Sequence, residues 1–351
     1  MNTQRKARVA IAGASGYTGA EILRLVAGHE DLTVTVLAGQ QTVGMALGDI
    51  YPHLEPFAEM TIGALDIDEI AARAEVVLLA LPHGSSMRLA PGLLEAGCRV
   101  VDLAGDFRLA AAQYPDWYGF EHSAPEWLEK AVYGLPELFA EEIPGAALVA
   151  NPGCYPTPVA LALAPLVRAE LIDSAGLIID GKSGISGAGH SPTEITHFAQ
   201  RDGSVQPYKA GGAHQHTPEI ERVLEAATGT ATKVSFVPHL VPAIRGVLVT
   251  CYARRRGDAG VTDLLAAWES AYATAPFVRV LSEGTLPDTK RVMGSNTVEL
   301  GAAVDERTET AILVGCLDNL VKGAAGQALQ NLNLMLGFPE TAGLEALAVY
   351  P

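Results

Sequence analysis

The stretch Gly13-Ala14-Ser15-Gly16-Tyr17-Thr18-Gly19 constrains the fold more than any other part of the chain. It lies between residues 8–12, a short apolar run that reads as a buried strand, and residues 17–28, where Ile22, Leu23, Leu25 and Val26 follow helical spacing. Glycines placed between a strand and a helix are the context that a dinucleotide-binding turn requires. Gly13 permits a tight turn, Gly16 lets backbone approach a pyrophosphate, and Gly19 lets helix and strand pack closely. Ser15, Tyr17 and Thr18 line the same turn, and the helix N-terminus supplies N–H groups and a partial positive charge. The spacing is G-x-x-G-x-x-G rather than G-x-G-x-x-G, a pattern that an ordinary glycine-rich turn also satisfies, so its position between strand and helix carries the reading.

The alternation continues beyond the turn. Residues 33–38, 76–81, 99–103 and 147–150 read as strands, and residues 67–73 and 85–96 as helices, the second ended by Gly97. This predicts a doubly wound parallel sheet. Residues 113–142, aromatic and punctuated by proline, read as a surface excursion. After Asn151 the texture changes. Residues 159–171 read as a helix that Pro165 should kink or interrupt. Residues 177–181 read as a strand leading into a glycine-rich loop, 183–212. Residues 233–237, 246–254, 297–304 and 310–316 are strand-like with few helices between them, which predicts a mixed or antiparallel sheet. Residues 318–337 read as a closing helix.

Composition narrows the class. At about 150 residues per domain, 351 residues imply two domains. With 49 % hydrophobic and 18 % charged residues, the chain is not a disordered one. No apolar run reaches membrane-spanning length, and the polar start, residues 1–8, meets an apolar stretch too short for a signal peptide. The cysteines at 98, 154, 251 and 316 are far apart with no C-x-x-C pair, which disfavours a disulfide scaffold, structural zinc and a redox pair, and fits a reducing cytoplasm. No metal site is expected. A net charge of −16, with no basic run longer than Arg254-Arg255-Arg256, argues against nucleic acid as a partner.

A dinucleotide domain that prefers NAD places an acid about 20 residues beyond the glycines to hold the ribose. Here that place reads Leu37-Ala38-Gly39-Gln40-Gln41, without a carboxylate to repel a 2′-phosphate, so NADP(H) is the expected cofactor. The octet Asn151-Pro152-Gly153-Cys154-Tyr155-Pro156-Thr157-Pro158 is the chemical centre of the sequence. Prolines are tolerated in a first helical turn, so Pro156 and Pro158 put Cys154 at or just before a helix N-terminus, where the dipole favours thiolate. The other three cysteines sit in apolar, strand-like settings and read as buried packing residues. A nucleophilic cysteine beside a nicotinamide implies one chemistry: thiolate displaces the leaving group of an activated acyl compound, and the thioester accepts hydride and leaves as aldehyde. That chemistry needs an acid or base, an oxyanion stabiliser and cations for the substrate's charges.

Further residues are candidates by type and position. Lys182, at a strand end, either guides an anion or is a solvated lysine, and the glycines after it, Ser183-Gly184 through Gly189, can bring backbone N–H groups to a ligand. Arg245, in the kinked segment 238–246, suits bidentate binding of phosphate or carboxylate. Arg108 either meets substrate charge or pairs with Asp102 or Asp106. His83 and Ser85, beyond a strand's C-terminal end, sit where such sheets contact cofactors, although Ser85 also fits a plain helix cap. Among nine histidines, His214 and His216 stand out. Thr217 and Pro218 read as N-cap and N1, so both histidines precede a helix N-terminus that keeps imidazole neutral. His214 lies nearer the flexible glycines and is slightly favoured as the acid/base; His190 is next in line.

These motifs resemble the N-acetyl-γ-glutamyl-phosphate reductase family over nearly the whole chain. The opening Gly13–Glu21 run, Leu81-Pro82-His83-Gly84, residues 102–108, Tyr133-Gly134-Leu135-Pro136-Glu137-Leu138, the Cys154 octet, Lys182-Ser183-Gly184, His214-Gln215-His216-Thr217-Pro218-Glu219 and residues 318–328 carry the resemblance. It implies an α/β architecture: a Rossmann-type domain at residues 1–153, an α+β glyceraldehyde-3-phosphate-dehydrogenase-like catalytic and oligomerisation domain at 154–317, and a C-terminal helix, 318–351, returning to the first domain. It implies NADPH-dependent reduction of an acyl phosphate, N-acetyl-γ-glutamyl phosphate, to the semialdehyde in arginine biosynthesis, by a homotetramer. The catalytic histidine falls in the segment holding His214 and His216. Ser183, Gly184 and Asn319 go to the cofactor, the last holding the nicotinamide carboxamide, though alone it reads as an N-cap. Asn151, Lys182, Arg108 and Arg245 go to the substrate. Gln40 and Gln41 stand where many members are more basic, and His190 stands where arginine or lysine is expected. The competing readings are a related reductase of carrier-bound aminoadipyl phosphate or of aspartyl phosphate, and an NADPH-binding sensor without catalysis.

Overall fold

The computed structural model describes residues 6–350; residues 1–5, the start of the polar N-terminal run, and residue 351 lie outside the described residues. The chain forms two compact units. Residues up to Pro152 and Ala324–Glu345 make the first, and Gly153–Gly323 with the residues from Ala346 onward make the second. The late crossing thus falls after Gly323 rather than at 318. Residues 318–323 stay with the second unit because the Gly323 N–H donates to the Asp318 carbonyl, and the Asp318 carboxylate accepts from the Gly294 N–H. The final residues stay there through Val349 N–H to Met293 carbonyl.

The first unit holds β1 (Ala7–Ala12), β2 (Leu32–Ala38), β3 (Ile62–Gly63), β4 (Val76–Leu79), β5 (Arg99–Asp102), β6 (Val132–Tyr133) and β7 (Leu148–Ala150). They form a seven-stranded sheet in the order β3-β2-β1-β4-β5-β7-β6. Every pairing is parallel. Val9–Ala12 and all of β4 are buried, as expected for strands covered on both faces. The helices Tyr17–Val26, Ile67–Arg73, Ser86–Glu95 and Gly326–Leu336 supply the cover. The chain departs from β1 to β2 on one side and to β4 on the other, so the C-terminal ends of β1 and β4 flank a topological switch point. The two-residue strands β3 and β6 were beyond reach of periodicity, and the aromatic excursion contributes β6 to the sheet edge.

The second unit holds β8 (Leu177–Ser183), β9 (Gln206–Pro207), β10 (Val234–Leu240), β11 (Val247–Arg254), β12 (Val278–Val280), β13 (Val298–Asp305) and β14 (Thr310–Leu317). Their order is β12-β13-β14-β11-β8-β10-β9, a mixed sheet. Burial alternates along β8, β10 and β11, so one face is covered. The helix Pro156–Arg168 lies against that face at two glycines. A Cβ on Gly181 would sit 2.5 Å from the Tyr155 ring, and one on Gly315 would sit 3.1 Å from Pro158.

Pro165 neither ends nor interrupts this helix, contrary to expectation. Proline removes the N–H that would bond the carbonyl of Leu161, and the hydroxyl of Tyr272 donates to that carbonyl instead, at 2.7 Å. Trp268 Nε1 adds a bond to the neighbouring carbonyl of Ala162, at 2.9 Å. The closing helix also differs: a π-type turn, Val321–Ala325, precedes the α-helix Gly326–Leu336. Asn319 precedes both and caps neither.

Candidate active site

In the first unit the glycine turn has the geometry its spacing implied. Gly13 adopts φ +90°, and a Cβ there would lie 2.1 Å from the Ala80 carbonyl oxygen; one on Gly19 would lie 2.3 Å from the Gly13 oxygen. These two glycines are fixed by close packing. A Cβ on Gly16 would meet only the Gly13 oxygen, at 3.5 Å. Gly16 is the N-cap of Tyr17–Val26 and has no side-chain cap, so the helix presents backbone donors at its positive end. The turn is pinned by Thr42 Oγ1 donating to Ser15 Oγ and Tyr51 donating to the Ser15 carbonyl. Tyr17 is exposed and Thr18 half-buried beside it, and Gln40 and Gln41 are exposed beyond β2. This cradle fits a dinucleotide pyrophosphate.

His83 and Ser85 follow β4. His83 is exposed, and its Nδ1 accepts from the Gly105 N–H at 2.9 Å. Ser85 occupies the N-cap position of Ser86–Glu95 without capping it. Asp106 does so from a distant segment, accepting from the Gly84 and Met87 N–H groups at 2.8 and 3.0 Å. Arg108 is buried in this unit, donating to the Leu103 carbonyl at 2.8 Å, with its charge acting on Asp102. Its charge thus bears on Asp102, one of the two partners the sequence offered. Asn151 also belongs to the first unit. It is fully buried, its Nδ2 donates to the Ala324 carbonyl at 3.3 Å, and its Oδ1 accepts from Asn331 Nδ2 at 3.0 Å. Its amide joins β7 to the last helix.

In the second unit Cys154 is partly exposed and directly precedes Tyr155, the N-cap of Pro156–Arg168. Pro156 and Pro158 take the first and third helical positions, where no N–H is needed. The preceding turn is braced at both polar groups of Gly153. Its carbonyl accepts from Thr157 Oγ1 at 3.1 Å, and its N–H donates to Glu219 Oε1 at 2.8 Å. Glu219 belongs to the helix His216–Thr228. Behind the cysteine stands Gly323, where a Cβ would fall 2.9 Å from Cys154 Cβ; only glycine fits there.

That second helix begins at His216, with Gln215 as N-cap, so Thr217 and Pro218 lie inside the first turn rather than opening it. His214 precedes the helix and His216 is its first residue. Both are buried, with rings 4.8 Å apart. His214 Nδ1 accepts from the His216 N–H at 3.1 Å, which leaves the proton of the neutral ring on Nε2. The Tyr155 ring lies 6.0 Å from each histidine ring. Tyr208 lies 5.4 Å from the His214 ring. Burial, followed by the negative charge of the Cys154 thiolate, pushes the Tyr208 hydroxyl up to about 12, so it remains a proton donor near the sulfur. Burial likewise raises Tyr155, whose hydroxyl bonds that of Tyr208.

The segment after β8 departs from expectation. The N–H groups of Gly184, Ile185 and Ser186 donate to the carbonyls of Gly246, Ala243 and Ile244. A Cβ on Gly184 would lie 2.7 Å from the Ile244 oxygen. These backbone donors and this glycine seat the Arg245 segment. Ser183 is buried and donates to the Gly184 carbonyl at 2.9 Å. Lys182 lies on β8. Gly181 faces Tyr155, so by strand alternation Lys182 points to the opposite side of the sheet. There its Nζ lies 3.0 Å from Asp180 Oδ1, which also meets His239 Nδ1 at 3.1 Å. His190, in the same long loop, is exposed.

Arg245 is held at both ends. Its NH1 lies 3.5 Å from Oδ2 of the fully buried Asp318. Asn319 Oδ1 accepts the next backbone N–H, that of Gly246, at 2.7 Å, and Asn319 Nδ2 donates to Ser186 Oγ at 3.0 Å. Sequence reasoning passed over Glu219, Tyr208, Asp318 and Gly323. Only Glu219 carried a local signal, one helical turn after His216.

Among the described residues no group of three or more His, Cys, Asp or Glu is placed to hold a metal ion. No helix there is long and apolar enough to cross a membrane.

Residues 8–146 match the semialdehyde dehydrogenase NAD-binding domain, and residues 154–319 match the semialdehyde dehydrogenase dimerisation domain. The chain is 47 % identical over 346 residues to the N-acetyl-γ-glutamyl-phosphate reductase of Symbiobacterium thermophilum, covering 98 % of this chain and 99 % of that one. The Geobacter metallireducens reductase of the same description is 46 % identical over 344 residues, covering 98 % of this chain and 99 % of that one. Among solved structures, aspartate semialdehyde dehydrogenase II from Vibrio cholerae superposes with a TM-score of 0.73 at 17 % identity, covering 95 % of this chain and 99 % of that one. The Candida albicans aspartate semialdehyde dehydrogenase, solved with NADP, gives 0.70 at 17 % identity, covering 94 % and 98 %. At that identity the likeness concerns the fold.

Proposed function

Since the chain belongs to the N-acetyl-γ-glutamyl-phosphate reductases of the semialdehyde dehydrogenase family, we propose that it reduces N-acetyl-γ-glutamyl phosphate to N-acetylglutamate semialdehyde and phosphate, with NADPH, in arginine biosynthesis. The observation that carries the chemistry is the union of the Cys154 turn with the His216–Thr228 helix through Glu219.

Cys154 sulfur attacks the acyl carbon, the carbon–oxygen bond to phosphate breaks, and a thioester forms. The positive end of Pro156–Arg168 favours the anionic sulfur. A base is needed for the thiol proton, and His214 is poorly placed for that task because its Nδ1 already accepts a backbone N–H. We assign the base to His216, and to His214 the donation of its Nε2 proton toward negative charge on the reacting oxygen. Tyr208 is a second donor near the sulfur. Arg245 meets the substrate's anionic group. Gly13, Ser15, Gly16, Tyr17, Thr18 and Gly19, with His83 and Ser85, would hold NADPH, which would supply the hydride that reduces the thioester. The absence of a carboxylate at Gln40 and Gln41 favours NADPH over NADH. Asn319, Ser183 and Gly184 are assigned to the cofactor as well, Asn319 to its carboxamide end. The reading includes a homotetramer in the cytoplasm, a compartment that fits four cysteines outside any disulfide.

The deciding experiment runs the reaction backward. N-acetylglutamate semialdehyde with NADP and phosphate should yield NADPH, and aspartate semialdehyde should yield far less. No NADPH from the first substrate, or a preference for the second, overturns the reading.

A further inference from the structure

Asp318 lies where the supports of the nucleophile and of Arg245 meet. Its backbone carbonyl accepts the N–H of Gly323 at 2.9 Å, and Gly323 is the residue whose α-carbon backs onto Cys154. Its carboxylate is fully buried. Oδ1 accepts from the Leu320 N–H at 2.8 Å, and Oδ2 accepts from the Gly294 N–H at 2.7 Å. The Arg245 guanidinium completes the set at 3.5 Å, with its side chain 28 % exposed.

A buried carboxylate bonded only to backbone amides is costly, and an adjacent guanidinium offsets that cost. The pairing also restricts the arginine. A long side chain that would otherwise sample many rotamers is held by a carboxylate with no freedom of its own. The backbone offers no slack either, because Gly246 takes φ +105° with a Cβ position 2.9 Å from Thr289, and its N–H is tied to Asn319.

We propose that Asp318 is a positioning residue that sets the Arg245 guanidinium at a fixed place relative to the Cys154 sulfur, and so fixes where the phosphate of the acyl phosphate sits during attack; this rests on the reductase reading above. Asp318 acts through Arg245 and touches no substrate. The effect belongs to recognition of the anionic leaving group, not to the cofactor and not to the thiol.

The test compares wild type, Asp318→Asn, Arg245→Ala and the double variant. The readouts are kcat and KM for the acyl phosphate, the inorganic phosphate concentration that protects Cys154 from iodoacetamide, NADPH affinity and Tm. Asp318→Asn should lower kcat/KM by about tenfold or more and weaken phosphate protection by a similar factor, the scale of one charge-assisted contact. NADPH affinity should stay within about twofold, the precision of such a titration. Added to Arg245→Ala, the same change should cost nothing further, because the group it positions is gone. Wild-type kcat/KM and protection in Asp318→Asn, or equal losses in both backgrounds, overturns the proposal. If Asp318→Asn does not fold, Arg245→Lys serves. Lysine can reach the carboxylate but lacks the planar fork, so phosphate protection should weaken, and full protection overturns the proposal. A wild-type protein that turns over no acyl phosphate while phosphate still protects Cys154, and Asp318→Asn loses that protection, would sink the reductase reading and leave the role of Asp318 standing.

Discussion

The backbone N–H of Gly153 donates to Oε1 of Glu219 at 2.8 Å, across a sequence separation of 66, with the carboxylate buried. One residue later in the chain stands the nucleophile, and three residues before Glu219 stands His216. This hydrogen bond therefore helps fasten the cysteine turn to the histidine helix.

Glu219→Ala should leave that N–H buried and unsatisfied, a cost of about 1–3 kcal/mol. Tm should fall, and iodoacetamide should alkylate Cys154 about tenfold more slowly, the kinetic equivalent of about 1.4 kcal/mol. Glu219→Gln keeps an oxygen in place and should stay close to wild type on both counts. An Ala variant as stable and as reactive as wild type would remove the bond from the account.

Cys154→Ser should fold, bind NADPH normally and lose turnover, because a serine hydroxyl is far less ionised than a thiol at a helix N-terminus. Fluorescence titration with NADPH checks binding, and a stopped assay checks turnover. A variant retaining a tenth of kcat, roughly 1.4 kcal/mol short of wild type, would refute covalent catalysis at this position.

His216→Asn should lower kcat by about 10²–10⁴-fold and remove the acid limb of the pH–rate profile. His214→Asn should cost less in kcat and keep that limb, since donation rather than acceptance is its role. The opposite pattern exchanges the two assignments. Losses below about tenfold in both, far short of general-base scale, move the base elsewhere, with His190 the next to test.

Asp102 gives the first unit a pH dependence. Burial, followed by repulsion from Asp106, pushes its carboxyl up to about 7. The unfolded chain releases that proton near pH 4, at about the ordinary carboxylate value. Between those two values the folded state binds more protons than the unfolded state, so stability falls as pH rises through the window and levels off above it. Asp102→Asn is neutral in both states and lacks this slope. Its Tm relative to wild type should therefore climb from about pH 4 to about pH 7 and then stay flat; a difference independent of pH contradicts the raised carboxyl.

Much of this was legible because it is local. Val76–Leu79 is apolar at every position and reads as a buried strand; Val247–Arg254 reads as strand-like within a mixed sheet, and its burial alternates in the structure. The octet around Cys154 declared its helix start through two prolines. What escaped was set by partners distant in sequence. Pro165 looks like a helix breaker until the Tyr272 hydroxyl takes the orphaned carbonyl. Asn151 gave no sign in sequence that its oxygen would be shared with Asn331. Lys182 and Ser183 are neighbours in sequence, but strand alternation sends them to opposite faces. Tyr208 gave no periodic signal, since it follows the two-residue strand β9 in a loop.

The helix Gly326–Leu336 has a consequence for how the protein is made. Arg99 donates to the Met335 carbonyl, His29 pairs with Asn333, and Asn331 bonds the Gly134 carbonyl and Asn151, so the first unit's sheet and loops close around a helix translated almost last. On the ribosome, all seven strands of that sheet emerge long before the helix that covers part of it. The second unit, whose strands all precede Asp318, is nearly complete while the first still waits with apolar surface uncovered. The nucleotide-binding half, begun first, thus waits until nearly the end of translation for this cover, and a chain stalled or clipped before Gly326 would leave it the aggregation-prone half.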